Sequence, residues 1–158
     1  MNKLFITFLL CTARMVVGMD VKSADCTDPI REINFLPCVI NSSGSYQLSS
    51  QAMYHLYTRR SHFDSAIRIY NNARVALDLN GNVLQANGRT FGVDANFAAS
   101  VFIYNGTISG ATRAISSLNN EVRMMNVRVY ACASSSIETT KDKTHMDNVS
   151  FVSCGNLK

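Results

Sequence analysis

Apolar residues recur at a long and nearly constant interval in the second half of the chain. The best-formed copy is segment 74–83, RVALDLNGNV, which predicts a strand, a tight Asn-Gly turn and the start of a second strand. Looser copies occupy 100–108, 121–129 and 143–151. A repeat interval of roughly 20 to 50 residues is typical of solenoid proteins. The pattern therefore predicts stacked coils.

Alignment of the copies on one asparagine of each gives four apolar columns. The asparagines are Asn80, Asn105, Asn126 and Asn148, which stand 25, 21 and 22 residues apart. The columns are Ile67/Val93/Ile115/Ile137, Val75/Val101/Val122/Thr144, Leu77/Ile103/Met124/Met146 and Val83/Ile108/Val129/Phe151. Leu79 is one extra residue in the first coil, which we interpret as a bulge. Paired strands lie about 4.8 Å apart, so each column would form a continuous core that a single coil lacks. We predict an all-β, single-stranded parallel β-helix of about four to five short coils.

The asparagine column has two explanations. Amides turned inward at a tight corner could bond their own backbone and the amide of the next coil. Gly81 and Gly106 would ease the same corner where a positive φ is needed. Asn105-Gly106-Thr107 and Asn148-Val149-Ser150 also match the glycosylation sequon. We prefer the structural ladder for both, and we expect Asn41-Ser42-Ser43 to be the exposed sequon.

The N-terminal residues have the composition of an export signal. Lys3 precedes the apolar run 4–13, and cleavage is compatible with a site after Ala13, Ser23 or Ala24. The run is too short for a permanent membrane span, and an apolar element of the fold is the alternative. We predict a signal peptide at 1–24, an N-terminal cap and lead-in coil at 25–65 and parallel β-helix coils at 66–158. The expected location is secreted or periplasmic.

Charge gives little support to a nucleic-acid partner. The formal charge is +4, and removal of residues 1–24 takes away three cations and one anion, which leaves +2. Proteins that bind phosphate backbones concentrate Lys and Arg on one face, whereas only Arg59 and Arg60 cluster here. The three histidines have no metal-ligand spacing. We expect no cofactor, no metal and no nucleic acid.

Four cysteines would remain after cleavage, namely Cys26, Cys38, Cys132 and Cys154. An even number in an exported chain permits two disulfides. Cys26 and Cys38 bracket the opening segment. Cys132 and Cys154 each follow their corner asparagine by six residues, so a disulfide and two stacked thiols fit equally well.

Several of these runs together resemble a known family. AIRI at 66–69, VALDLNG at 75–81 and YNGTISG at 104–110 are similar to right-handed parallel β-helix proteins with a pectin-lyase-like fold, especially their exported, largely uncharacterised bacterial members. The resemblance covers about residues 38–154 and implies right-handed coils. Enzymes of this fold cleave polysaccharides, but the Asn-Thr-Asp, Asp-Asp and His-Gly motifs of its polygalacturonase-like members have no counterpart here. Arg68-Ile69-Tyr70 also lacks the Lys of their Arg-Ile-Lys motif. The resemblance therefore implies no catalytic residue.

Outward positions of the coils carry the candidate binding residues. One outward column is Ala76/Phe102/Arg123/His145, and the column beside it is Asp78/Tyr104/Met125/Asp147. Aromatic faces pack on sugar rings while polar groups bind hydroxyls. The candidate glycan-binding face is therefore Phe102, Tyr104, Arg123, His145 and Asp78. The alternative is that Phe102 and Tyr104 support a loop folded over this face. Asp78 is expected to bond near the Asn80 corner rather than to act as a base.

Three functions are compatible with the sequence. The preferred one is an exported, non-catalytic β-helix protein that binds a glycan or another cell-surface polymer. The second is a divergent polysaccharide lyase or glycoside hydrolase. The third is a structural unit that forms homo-oligomers through an uncapped C-terminal coil, or a truncated relative of a longer solenoid.

Overall fold

The computed structural model describes residues 30–54, 64–118, 120–130, 137–139 and 143–152. The regular elements of these residues are β-strands. They are β1 (Arg31–Leu36), β2 (Cys38–Ile40), β3 (Gly44–Tyr54), β4 (Ser65–Ile69), β5 (Arg74–Asp78), β6 (Val83–Gln85), β7 (Phe91–Asp94), β8 (Ser100–Ser109), β9 (Arg113–Ser117), β10 (Glu121–Tyr130), β11 (Ile137–Thr139) and β12 (Thr144–Val152).

The strands pair in parallel in two sheets. The first sheet has the order β1-β3-β5-β8-β10-β12, with β6 also paired to β8. The second sheet has the order β11-β9-β7-β4-β2. The chain thus crosses from one sheet to the other in every coil, and it forms a parallel β-solenoid of about four turns. This architecture confirms the predicted fold class.

Strand register reproduces three of the four predicted apolar columns. Leu77, Ile103, Met124 and Met146 align across four strands, and the Val75 and Ile67 columns align in the same way. The fourth column was wrong in its first member. Ile108 pairs with Leu84, which is fully buried, whereas Val83 is 53 % exposed.

A longer turn explains the displaced residue. Asn80 and Gly81 have φ of 53° and 72°, and the Asn82 N–H donates to the Leu79 carbonyl at 2.8 Å. Two successive positive φ values define the tight turn that Asn-Gly favours. The later corners turn at one residue, with φ of 56° at Asn105, 54° at Asn126 and 50° at Asn148. Compared with the corner at Asn105, the first corner therefore has one extra residue before its asparagine and one extra residue after it.

The two predicted corner glycines have different roles. The positive φ expected for Gly81 is confirmed. Gly106 does not have a positive φ, and glycine is required there because there is no space for a side chain. A Cβ added there would lie 2.5 Å from Leu79 Cβ and 2.7 Å from the Asn82 carbonyl oxygen. Only glycine leaves room for the buried Leu79 of the neighbouring longer turn.

The corner asparagines do not point inward as predicted. Asn80, Asn105, Asn126 and Asn148 are all exposed. Their common property is the left-handed backbone, which asparagine adopts more readily than most residues. One rung of the expected amide ladder is present, because Asn148 Nδ2 donates to Asn126 Oδ1 at 2.7 Å. The sequon asparagines Asn41, Asn105 and Asn148 are all exposed, so exposure does not single out Asn41.

Several sequence predictions lie outside the described residues. These are the signal peptide at 1–24 and the cysteines Cys26, Cys132 and Cys154. Cys38 is a free, partly buried thiol, and burial raises its pKa. Within the described ranges no helix has the length and apolar character that a membrane crossing requires.

Candidate functional site

The predicted aromatic pair lies on the outer face of the first sheet, and we call it the platform. Phe102 and Tyr104 are two residues apart in β8, so their side chains leave the strand on the same face. Their rings are stacked, with centroids 4.9 Å apart and planes inclined by 21°. Both side chains remain partly exposed. The pair therefore presents an apolar surface to solvent.

Register places the other candidate residues around this platform. Phe102 lies between Ala76 on one side and Arg123 on the other, and His145 follows Arg123 in the next coil. Tyr104 lies between Asp78 and Met125. The predicted neighbourhood of the five candidate residues is thus present in the structure.

The carboxylate of Asp78 is hydrogen-bonded to the backbone of the neighbouring turn. Its Oδ1 accepts a hydrogen bond of 2.7 Å from the Asn80 N–H, in line with the structural role that the sequence indicates. Burial, and then the charge of Asp78, raise the pKa of Tyr104. The phenol therefore keeps its proton and can donate a hydrogen bond to a ligand.

Arg123 is held in place by Glu121 on the same strand. Its Nε and Nη2 both lie 2.6 Å from Glu121 Oε1. The pair is partly exposed, with 26 % of the arginine side chain and 39 % of the glutamate side chain accessible. A guanidinium carries five N–H donors, so donors remain for a ligand beside the ring of Phe102. His145, in the next coil, is exposed.

A shallow polar groove follows the platform along the same strands. It has a volume of about 260 Å³ and runs past the corners at Asn126 and Asn148. Thr107, Arg128 and Ser150 line it and stand in register with one another. Arg128 is exposed and has no ion-pair partner among the described residues. The described lining contains hydroxyl, amide and guanidinium groups and no carboxylate.

Sequence analysis missed this groove, although a signal for it was present. Thr107, Arg128 and Ser150 each follow their corner asparagine by two residues. The same alignment that gave the apolar columns therefore contained a polar outward column.

A second polar cluster lies on the outer face of the second sheet and was also missed. Arg68 Nε lies 2.9 Å from Asp94 Oδ2, and Ser116 Oγ donates to Glu138 Oε2 at 3.2 Å. Arg113 Nη1 lies 2.8 Å from the same oxygen of Glu138. The charged groups of this cluster pair with each other. We therefore interpret it as a network that holds the coils together.

The acidic side chains of the outward column are separated from each other by other residues. In the described part of the chain no three His, Cys, Asp or Glu side chains meet closely enough to hold a metal ion. Tyr104 and Met125 separate Asp78 from Asp147 in the outward column.

Fold and site together define a parallel β-solenoid with an aromatic and polar outer face. Comparison of the chain with family models, curated proteins and solved structures found no match.

Proposed function

We propose that this protein is an exported β-helix protein that binds a glycan or another cell-surface polymer without cleaving it. The observation that carries the proposal is the stacked pair of Phe102 and Tyr104 beside Arg123. Export is supported by the composition of residues 1–24. The resemblance of residues 38–154 to pectin-lyase-like proteins supports a polysaccharide as the polymer.

The platform offers two kinds of contact to a sugar. Because the two rings stack on each other, the apolar face of a pyranose ring would pack on an outer face or on the exposed edges of the pair. The Tyr104 hydroxyl, the free N–H groups of Arg123 and the imidazole of His145 would bind ring hydroxyls. A longer chain would continue into the groove past Thr107 and Arg128, which presents further donors.

A glycan-array screen tests the proposal, with Phe102→Ala and Tyr104→Ala beside the unmodified protein. Full burial of an aromatic side chain stabilises by about 1.5–3 kcal/mol. Phe102 and Tyr104 are already partly buried, so each substitution should remove about half of that and weaken binding roughly three- to tenfold. Phe97→Ala is a matched control. Phe97 is 59 % exposed and stacks on Tyr70, with centroids 5.5 Å apart, at the turn that follows β7. The control should leave binding unchanged.

Two results would contradict the proposal. One is that both platform substitutions leave the array signal intact. The other is turnover: new reducing or unsaturated ends on a bound polysaccharide, or on polygalacturonate with or without calcium, would support the divergent enzyme instead.

A further inference from the structure

The polar groove contains an arginine that forms no ion pair with any described residue. Arg128 is exposed and lines the groove. Three other arginines of the strands, Arg68, Arg113 and Arg123, each lie within 3 Å of a carboxylate oxygen, at 2.9, 2.8 and 2.6 Å. Among the described residues that line the groove there is no carboxylate. The positive charge of Arg128 is therefore available to a ligand.

Two hydroxyl groups flank this guanidinium. Thr107 of β8 and Ser150 of β12 pair in register with Arg128 from opposite sides, and all three residues line the groove. Neighbouring strands lie about 4.8 Å apart, and residues in register point to the same face of a sheet. In the described part of the chain neither hydroxyl takes part in a hydrogen bond. All three side chains can therefore contact one small group.

The amide of the adjacent corner adds another donor. Asn126 and Arg128 are two residues apart on β10, and both line the groove. Asn126 Oδ1 accepts a hydrogen bond of 2.7 Å from Asn148 Nδ2, which orients the amide. No described residue accepts a hydrogen bond from Asn126 Nδ2. The groove thus combines guanidinium, amide and hydroxyl donors with no described negative charge, which is the composition of an anion site.

We propose that this groove binds a sulfate or phosphate ester carried by the polymer. The inference rests on the proposed function, because the groove continues the platform along the same strands. A guanidinium binds two oxygens of an anion at once. An ester of this kind has a third terminal oxygen, which would accept from Asn126 Nδ2 or from a flanking hydroxyl. A carboxylate has only two oxygens, so it would leave those flanking donors unused.

A glycan array tests the proposal with one oligosaccharide backbone printed in neutral, sulfated, phosphorylated and uronic forms. The sulfated or the phosphorylated form should bind about tenfold more tightly than the neutral form, because charge-assisted hydrogen bonds are roughly twice as strong as neutral ones. The two ester forms distinguish the source of the anion. Arg128→Gln should remove this preference and retain binding of the neutral form.

Arg74→Gln is the charge-matched control. Arg74 is exposed at the start of β5 and does not line the groove. Its replacement removes the same positive charge from the protein, so the preference for the ester form should remain. Equal loss of the preference in Arg74→Gln and Arg128→Gln would overturn the site, because net charge alone would then explain the binding.

Simple salts separate the groove from the platform. Sodium sulfate and sodium phosphate, at constant ionic strength, should shift the amide NMR signals of Val127 and Arg128 at lower concentration than sodium acetate, and Arg128→Gln should abolish the shifts. If these shifts occur but no glycan form binds, the proposed function fails and the anion site stands. The site is overturned if acetate acts as readily as sulfate and phosphate, if bound neutral and ester forms bind equally, or if the uronic form is preferred.

Discussion

Replacement of Asp94 by asparagine should cost much more stability than its small change in shape suggests. The carboxylate lies 2.9 Å from Arg68 Nε, and the two side chains are only 6 % and 18 % exposed. Asparagine keeps an oxygen for the Asn96 N–H, which donates to Asp94 Oδ1 at 3.2 Å. The substitution therefore removes the negative charge but keeps the hydrogen bond that stabilises the local turn.

The expected loss follows from the arginine that is left behind. Removal of one member of a buried ion pair typically costs about 3–5 kcal/mol, because the other charge is left without its partner. Arg68 retains a 3.2 Å contact with the Tyr70 hydroxyl and lies 5.9 Å from the centre of its ring. These contacts offset part of the cost, so we expect about 3 kcal/mol.

Glu121→Gln provides the matched control. Glu121 and Arg123 approach to 2.6 Å, closer than Arg68 and Asp94, but their side chains are 39 % and 26 % exposed. Exposed ion pairs contribute about 0–1 kcal/mol, so the control should lose no more than that. Burial, rather than distance, decides the difference between the two pairs.

Equilibrium unfolding in urea measures both losses, provided that the slopes of the transitions agree. Addition of Arg68→Met to Asp94→Asn completes a double-mutant cycle that isolates the pair. Equal losses in Asp94→Asn and Glu121→Gln would refute the reasoning. A coupling energy near zero between Arg68 and Asp94 would refute it as well.

Two further predictions concern the first sheet. Asn126→Gly should change the free energy of unfolding little, because glycine adopts a positive φ without strain. Asn126→Val should lose about 1–2 kcal/mol, because the left-handed backbone is costly for a β-branched residue. Equal losses in urea would show that the amide hydrogen bond to Asn148 matters more. The pKa of Tyr104 is raised in the folded state. Its contribution to the stability of the fold is therefore complete below the unfolded pKa of about 10. That contribution is lost as pH rises through the folded pKa. Tyr104→Phe should flatten the alkaline part of the stability profile, and an unchanged profile would count against this assignment.

The architecture could be predicted from the sequence because its apolar residues recur periodically. Alternation along a strand and repetition between coils fix which residues stack, and the Leu77 column follows from both. The outward columns through Phe102 and Tyr104 followed from the same alignment, and the structure has them in register.

Departures from that periodicity could not be foreseen. Val83 was misplaced because an alignment on asparagine cannot show that Asn80 and Gly81 form a two-residue turn. The inward direction of the amides was wrong because a left-handed backbone, rather than an amide ladder, explains asparagine at these corners. The Arg68–Asp94 pair depends on contacts between side chains, which no column of residue types specifies. The signal peptide stays a prediction.

The unequal corners of the first sheet bear on how such a chain can evolve. Four residues separate Asp78 from Val83, whereas two separate Tyr104 from Thr107, yet Asp78 pairs with Tyr104 and Val83 with Thr107. The missing side chain at Gly106 accommodates the insertion. Coils can thus gain or lose residues at a corner without disturbing the columns on either side. Ancestral repeats of one length could drift apart in this way while their stacked core persisted, which hides their common origin from any search at a fixed period.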